Sequence, residues 1–200
     1  PDRIEKLMGV LLTNKEYDLV SCGTFSIKND GTFNGYRGRD ESHYTFEGLL
    51  NKSQSFLHAG LIARKSWYER NSYDERLPLG QDTDLWLRSA KRNDFRAISL
   101  AQPLYLYREE GNVTARKLLM AYKIERNKYS KLIDDKIMRY KYVMKSYVKT
   151  FLVMAMDSTN TIGYLLHRRN KKNKNNQDIK QLHTYEIAIS AVLIPGIDYD

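Results

Sequence analysis

A single cysteine and only four prolines occur in 200 residues. With Cys22 alone there is no internal disulfide framework and no zinc cluster built on several cysteines. Long apolar runs are also missing. The main ones in the C-terminal part are residues 151–156 and 191–194, the latter reaching back to Ile187 if Ser190 is tolerated. A helix that crosses a bilayer needs about 20 such residues, so none of these spans one. The opening Pro1-Asp2-Arg3-Ile4-Glu5-Lys6 has no apolar signal-peptide core and no initiator Met, and reads as the interior of a longer protein.

What is present suits a folded domain. Hydrophobic residues at 42% and aromatics at 12% suffice for a packed core, which excludes global disorder. The net charge of +9 is unevenly placed. Residues 1–110 hold 16 basic and 16 acidic side chains, and residues 111–200 hold 17 basic against 8 acidic. This break predicts a neutral unit over residues 1–112 and a basic helical extension over 113–200, with a mobile segment near 168–178 where Arg, Lys and Asn dominate.

Along the first part, residues 4–12 have helical apolar spacing, with Asp2 to cap them. Residues 18–27 read as a strand, Asn29-Asp30-Gly31 as a hairpin turn and residues 32–36 as the return strand. A short helix is predicted over 46–50, a mostly apolar strand over 55–63, helices over 65–70 and 82–93, and strands over 95–100 and 104–107. Strands alternating with short helices point to an α/β fold. Beyond Gly111, one helical periodicity without Gly or Pro runs from Arg116 to about Met156. Ile137, Tyr140, Met144, Tyr147 or Val148, Phe151 and Ala155 share a face beside the stripe Lys141, Lys145, Lys149.

Chemistry concentrates in Tyr73-Asp74-Glu75-Arg76-Leu77-Pro78-Leu79-Gly80-Gln81-Asp82-Thr83-Asp84-Leu85-Trp86-Leu87-Arg88. A polar loop delivers Asp82 and Asp84 onto the first turn of an amphipathic helix, where free N–H groups and the helix dipole favour carboxylates. Spacing alone leaves open whether Asp82 is only an N-cap and Asp84 only an early-turn acid.

This stretch resembles family-2 glycosyltransferases, whose pattern is a Gly-Gly-Tyr-Asp-Glu loop followed by Glu-Asp-x-Asp-Leu-Trp-x-Arg. Tyr73-Asp74-Glu75, Asp82, Asp84-Leu85-Trp86 and Arg88 match it. Arg64 fits the upstream strand, Pro103-Leu104-Tyr105-x-Tyr107-Arg108 the closing strand, and Pro1-x-Arg3-Ile4-Glu5-Lys6 the helix that follows the family's Asp-x-Asp motif. The resemblance covers about residues 1–115. It implies the acceptor-side portion of a GT-A (Rossmann-like) domain, with the nucleotide-binding half and most ligands of a divalent metal, Mn or Mg, outside this chain. No metal ligand is assigned within it. Asp82-Thr83-Asp84 has the Asp-x-Asp spelling but stands in the position of the base.

The implied reaction is inverting transfer of a sugar from a nucleotide-sugar donor to a glycan or lipid-linked acceptor, in bacterial surface polysaccharide synthesis. Asp82 is then the catalytic base, Asp84 orients the site, and Arg88 pairs with Asp84 across one turn. His58, Gln81 and Trp86 are further substrate-binding candidates. For His58 the default is a satisfied core histidine, and for Trp86 a core indole. Gln81 replaces the family's Glu, Asn71-Ser72 replace its Gly-Gly pair, and no Gln-x-x-Arg-Trp motif is present, so the likeness is to single-addition enzymes. A fragment of this kind is expected to transfer no sugar alone. It would lie in the cytoplasm or peripherally on the inner membrane face.

Three readings compete for the basic tail. It is an anionic-membrane surface element through residues 136–169, a nucleic-acid binder, or helices packed on the domain with a charged outer face. No nucleic-acid module signature is present, which makes the second weakest. Half a sheet would expose an edge, so homo-oligomerisation is also expected. The readings from other classes for the whole chain are an inactive interaction or scaffold module and, behind it, a nucleic-acid-binding protein.

Overall fold

The computed structural model describes residues 2–108, 114–161, 180 and 182–187. The order is α1 (Arg3–Thr13), β1 (Leu19–Ile27), β2 (Phe33–Arg37), α2 (Phe46–Asn51), β3 (Ile62–Ala63), α3 (Lys65–Arg70), α4 (Gln81–Lys91), β4 (Ala97–Arg108), α5 (Ala115–Leu132) and α6 (Lys136–Ser158). The mixed α/β class expected from the sequence is present.

β1 is the centre of the sheet. It pairs in parallel with β4 along its whole length, from Leu19↔Ala97 to Ile27↔Arg108. Its other edge is shared: β2 pairs antiparallel with Thr24–Ile27, and β3 antiparallel with Leu19 and Val20. Pairing on both edges explains why eight of its nine residues are buried. One face carries Val20 and Cys22 against Leu7 and Leu11 of α1. The other carries Leu19 into a larger core with Trp67 of α3 and Leu85, Trp86 and Leu87 of α4.

Two strand expectations are corrected. The segment 55–63 is a strand only at Ile62–Ala63, and residues 55–61 are loop and turn. Pairing with β1 through only Leu19 and Val20 leaves β3 no longer partner there. Residues 95–100 and 104–107 are not two strands, because β4 continues through Pro103. The parallel register slips beside Gly23, which faces Pro103, so the missing N–H falls at a bulge. A Cβ on Gly23 would collide with the backbone oxygen of Ala101, so only glycine permits this approach.

The single long helix expected from 116 to 156 is two helices. α5 ends at Leu132, Ile133 is buried, and the Asp135 carboxylate accepts from the N–H groups of Ile137 and Met138 to start α6. The charge boundary at 112/113 is not a packing boundary. Tyr129 and Ile133 belong to the same buried cluster as Trp67, Leu85 and Trp86, with Met138, Tyr142 and Val143 packed against it. The hairpin is fastened by Ser146, whose hydroxyl donates to the Tyr122 carbonyl at 3.1 Å. The segment 168–178, expected to be mobile, lies outside the described residues.

The apolar line read along α6 does not face the protein. Phe151 is 72% and Ile137 69% exposed, while Ser146 and Val153 are buried. The outer face of α6 is therefore apolar as well as charged, not simply charged.

Candidate functional site

The site forms where the loop 71–80 enters α4. Gly80 takes the left-handed conformation at φ 68° as the residue before the helix, and its carbonyl accepts from Asp84 N–H at 3.0 Å. Gln81 is exposed, and its side chain donates to the Leu77 carbonyl at 2.7 Å, closing the loop onto the helix. Asp74 is held by Arg76 in a two-point contact of 2.8 and 2.9 Å, which brings its carboxyl down to about 2.

The two acids of the motif have different surroundings. Asp84 is 7% exposed, and its Oδ2 accepts from Arg88 Nε at 2.6 Å. Arg88 donates a second time, to the Ser72 carbonyl at 2.8 Å, so the pair ties α4 to the loop before it. Asp82 is partly exposed, and its Oδ1 accepts from the N–H and hydroxyl of Thr83. One carboxylate is consumed structurally while the other is oriented by its own turn and stays partly exposed.

Beside them, His58 Nε2 and the Tyr73 hydroxyl are 2.9 Å apart, and the Tyr68 hydroxyl is 3.3 Å from that of Tyr73. Burial pushes the Tyr73 phenol up, with Tyr68 and the charge of Asp82 adding to the rise. His58 is corrected: it is exposed on a loop, not a core histidine on a strand. Its ring leans on Trp86 at 6.1 Å. Trp86 is 3% exposed and walled by Phe56, Trp67 and Phe95, so it offers no open face to a sugar and leaves the substrate-binding set. Its Nε1 is buried without a hydrogen-bond partner among the described residues.

Lys128 was not identified from the sequence. It reaches the site from α5, is 7% exposed, and donates from Nζ to the Gly80 carbonyl at 2.9 Å. Burial pulls its ammonium down, opposed by the charges of Asp84, Asp82 and Glu125. No local signal marks it, since the partners are 48 residues apart.

The residues here do not fit a divalent metal. Asp84 is committed to Arg88, and among the described residues no group of three or more His, Cys, Asp or Glu could hold a metal ion. A cavity of about 750 Å³ lies elsewhere, between Tyr17, Tyr44, Phe95 and the α5–α6 turn. Its Lys91 is tied to Asp134 at 2.8 Å. Cys22 is a buried thiol pushed up by burial, as a core role requires.

Comparison with protein-family models and with curated proteins gives no match for this chain.

Proposed function

We propose that this segment is the acceptor-side part of a GT-A glycosyltransferase, with Asp82 as the base of an inverting transfer. The observation that carries the reading is the division of labour at the start of α4. Asp84 is buried against Arg88, while Asp82 stands partly exposed with its carboxylate fixed by Thr83. A base needs such a carboxylate within reach of an acceptor hydroxyl.

In this reading the acceptor hydroxyl gives its proton to Asp82 as its oxygen bonds to the anomeric carbon. The nucleoside diphosphate leaves from the opposite face with the pair of the broken C–O bond. Asp84 and Arg88 hold the helix entrance in register, and the His58–Tyr73 pair lines the approach with two hydrogen-bonding groups. The donor is a nucleotide-sugar and the acceptor a glycan or lipid-linked glycan, handled at the cytoplasmic face of a membrane. A nucleotide-binding half and a divalent metal would complete the site. The residues here supply no place for that metal, and no step above passes through it.

The test is Asp82→Asn in the polypeptide that carries this segment with its nucleotide-binding half. Transfer should fall by about 10²–10⁴ in kcat, the usual contribution of a general base, with donor affinity nearly unchanged. An unchanged kcat removes Asp82 from the mechanism. Loss of both donor binding and transfer would mark it as a structural acid.

A further inference from the structure

We propose that the outward face of α6 docks on an anionic lipid bilayer. This inference rests on the extension alone and not on the glycosyltransferase reading. α6 packs on the protein through Met138, Tyr142, Ser146 and Val153. Opposite that face, Ile137, Tyr140, Tyr147, Val148, Phe151 and Leu152 are each more than half exposed, at 69, 66, 53, 58, 72 and 54%. Their spacing of three and four residues puts them along one side of the helix. So continuous an apolar face is rare on a surface that meets only water.

Charge selects the occupant. Along its 23 residues α6 carries Lys136, Arg139, Lys141 and Lys145, with Lys149 turned inward to Glu125 at 3.9 Å, against the single acid Asp157 near its C-terminus. Lys141 and Lys145 are exposed and border the apolar line, where their stems can lie along it with the ammonium groups directed outward. A second copy of the chain set against this face would bring four of these lysines together with no acid between them. Anionic headgroups would neutralise them instead. Among the described residues no helix is long and apolar enough to cross a membrane. A helix with one apolar face and a basic edge lies in the interface plane, its apolar side about 5–10 Å into the headgroup boundary. Tyr140 suits that depth, while the Tyr147 ring, with the Arg126 guanidinium 4.4 Å from its centroid, lies at the margin toward α5.

The experiment is co-sedimentation of the 200-residue chain with phosphatidylcholine vesicles, with and without roughly 30% phosphatidylglycerol. Binding should need the anionic lipid and weaken as salt rises. Lys141→Gln with Lys145→Gln should weaken it by about tenfold or more. Phe151→Glu should weaken it comparably by charging the apolar face. All three positions are exposed, so thermal melts of the variants should match the wild type. Failure to bind either vesicle would overturn the proposal, as would equal binding to both. A dimer in lipid-free solution that Phe151→Glu dissolves would assign the face to a second copy. Protection of a Phe151→Cys thiol from a maleimide in the lipid-free monomer would assign it to another part of this chain.

Discussion

Lys128 Nζ donates to the carbonyl of Gly80 at 2.9 Å, so a basic residue of the helical extension is built into the turn that presents Asp82. The same carbonyl already accepts from Asp84 N–H, so the contact is not needed to satisfy it. What it places there is a positive charge among Asp82, Asp84 and Glu125, at the cost of desolvating an ammonium. The folded-state value is lowered from 10.5. Between that lowered value and 10.5 the unfolded chain binds more protons, and this group's contribution to stability rises with pH. Tyr73 and Tyr129, raised by burial, act with the opposite sign above about pH 10. Comparison with Lys128→Met cancels the tyrosines. In urea unfolding from about pH 7 to 10, the free-energy difference between wild type and Lys128→Met should move in favour of the wild type. A difference flat with pH would show that the ammonium is not desolvated.

The two acids at the start of α4 should separate in stability. Asp84→Asn removes a buried, charge-assisted bond from Arg88 and should cost about 2–3 kcal/mol. Asp82→Asn, at a partly exposed carboxylate, removes little beyond its interaction with the helix terminus, less than about 1 kcal/mol. Denaturation midpoints of the two variants, measured side by side, decide this. Equal costs would make Asp82 a structural acid like its neighbour and remove the basis for assigning it the chemistry.

The legible parts of this molecule are those whose signal is local. Asn29-Asp30-Gly31 announces the hairpin between β1 and β2, and the four-residue spacing of Asp84 and Arg88 announces their pair. Asp135 is a local helix-start signal as well, but it is masked by apolar periodicity continuing on both sides. What stays hidden depends on tertiary partners. Residues 55–61 have strand composition without strand pairing. Pro103 reads as a strand breaker until the bulge opposite Gly23 removes the need for its N–H. The line from Ile137 to Phe151 marks an apolar face, yet periodicity cannot tell which face of a helix the fold will cover. Here it is the one carrying Tyr142 and Ser146. Lys128 belongs to the site only because α5 packs on α4.

Asp18 anchors the opposite end of β1 and offers the sharpest test of the packing. It is 2% exposed, and its Oδ2 accepts from Arg70 at 2.9 Å and from Arg96 at 2.7 and 3.0 Å. Arg70 also holds Asp94 at 2.9 Å, and Asn71 donates to Asp94 at 2.7 Å. Either arginine alone keeps the buried carboxylate paired, so Arg70→Ala or Arg96→Ala should each cost about 1–2 kcal/mol. Together they leave an uncompensated buried charge, and the double variant should lose about 3–5 kcal/mol, more than the singles combined. The acid limb supplies a second readout. Arg70 beside Asp94 holds that carboxyl below its ordinary 3.8. The stability it contributes is present above 3.8 and lost as pH falls through the lower folded value. Arg70→Ala removes the cause, so the stability gap between wild type and variant should narrow below about pH 4. Additive single costs would show the two arginines supporting Asp18 independently, and a gap constant down to low pH would show that Arg70 does not act through Asp94.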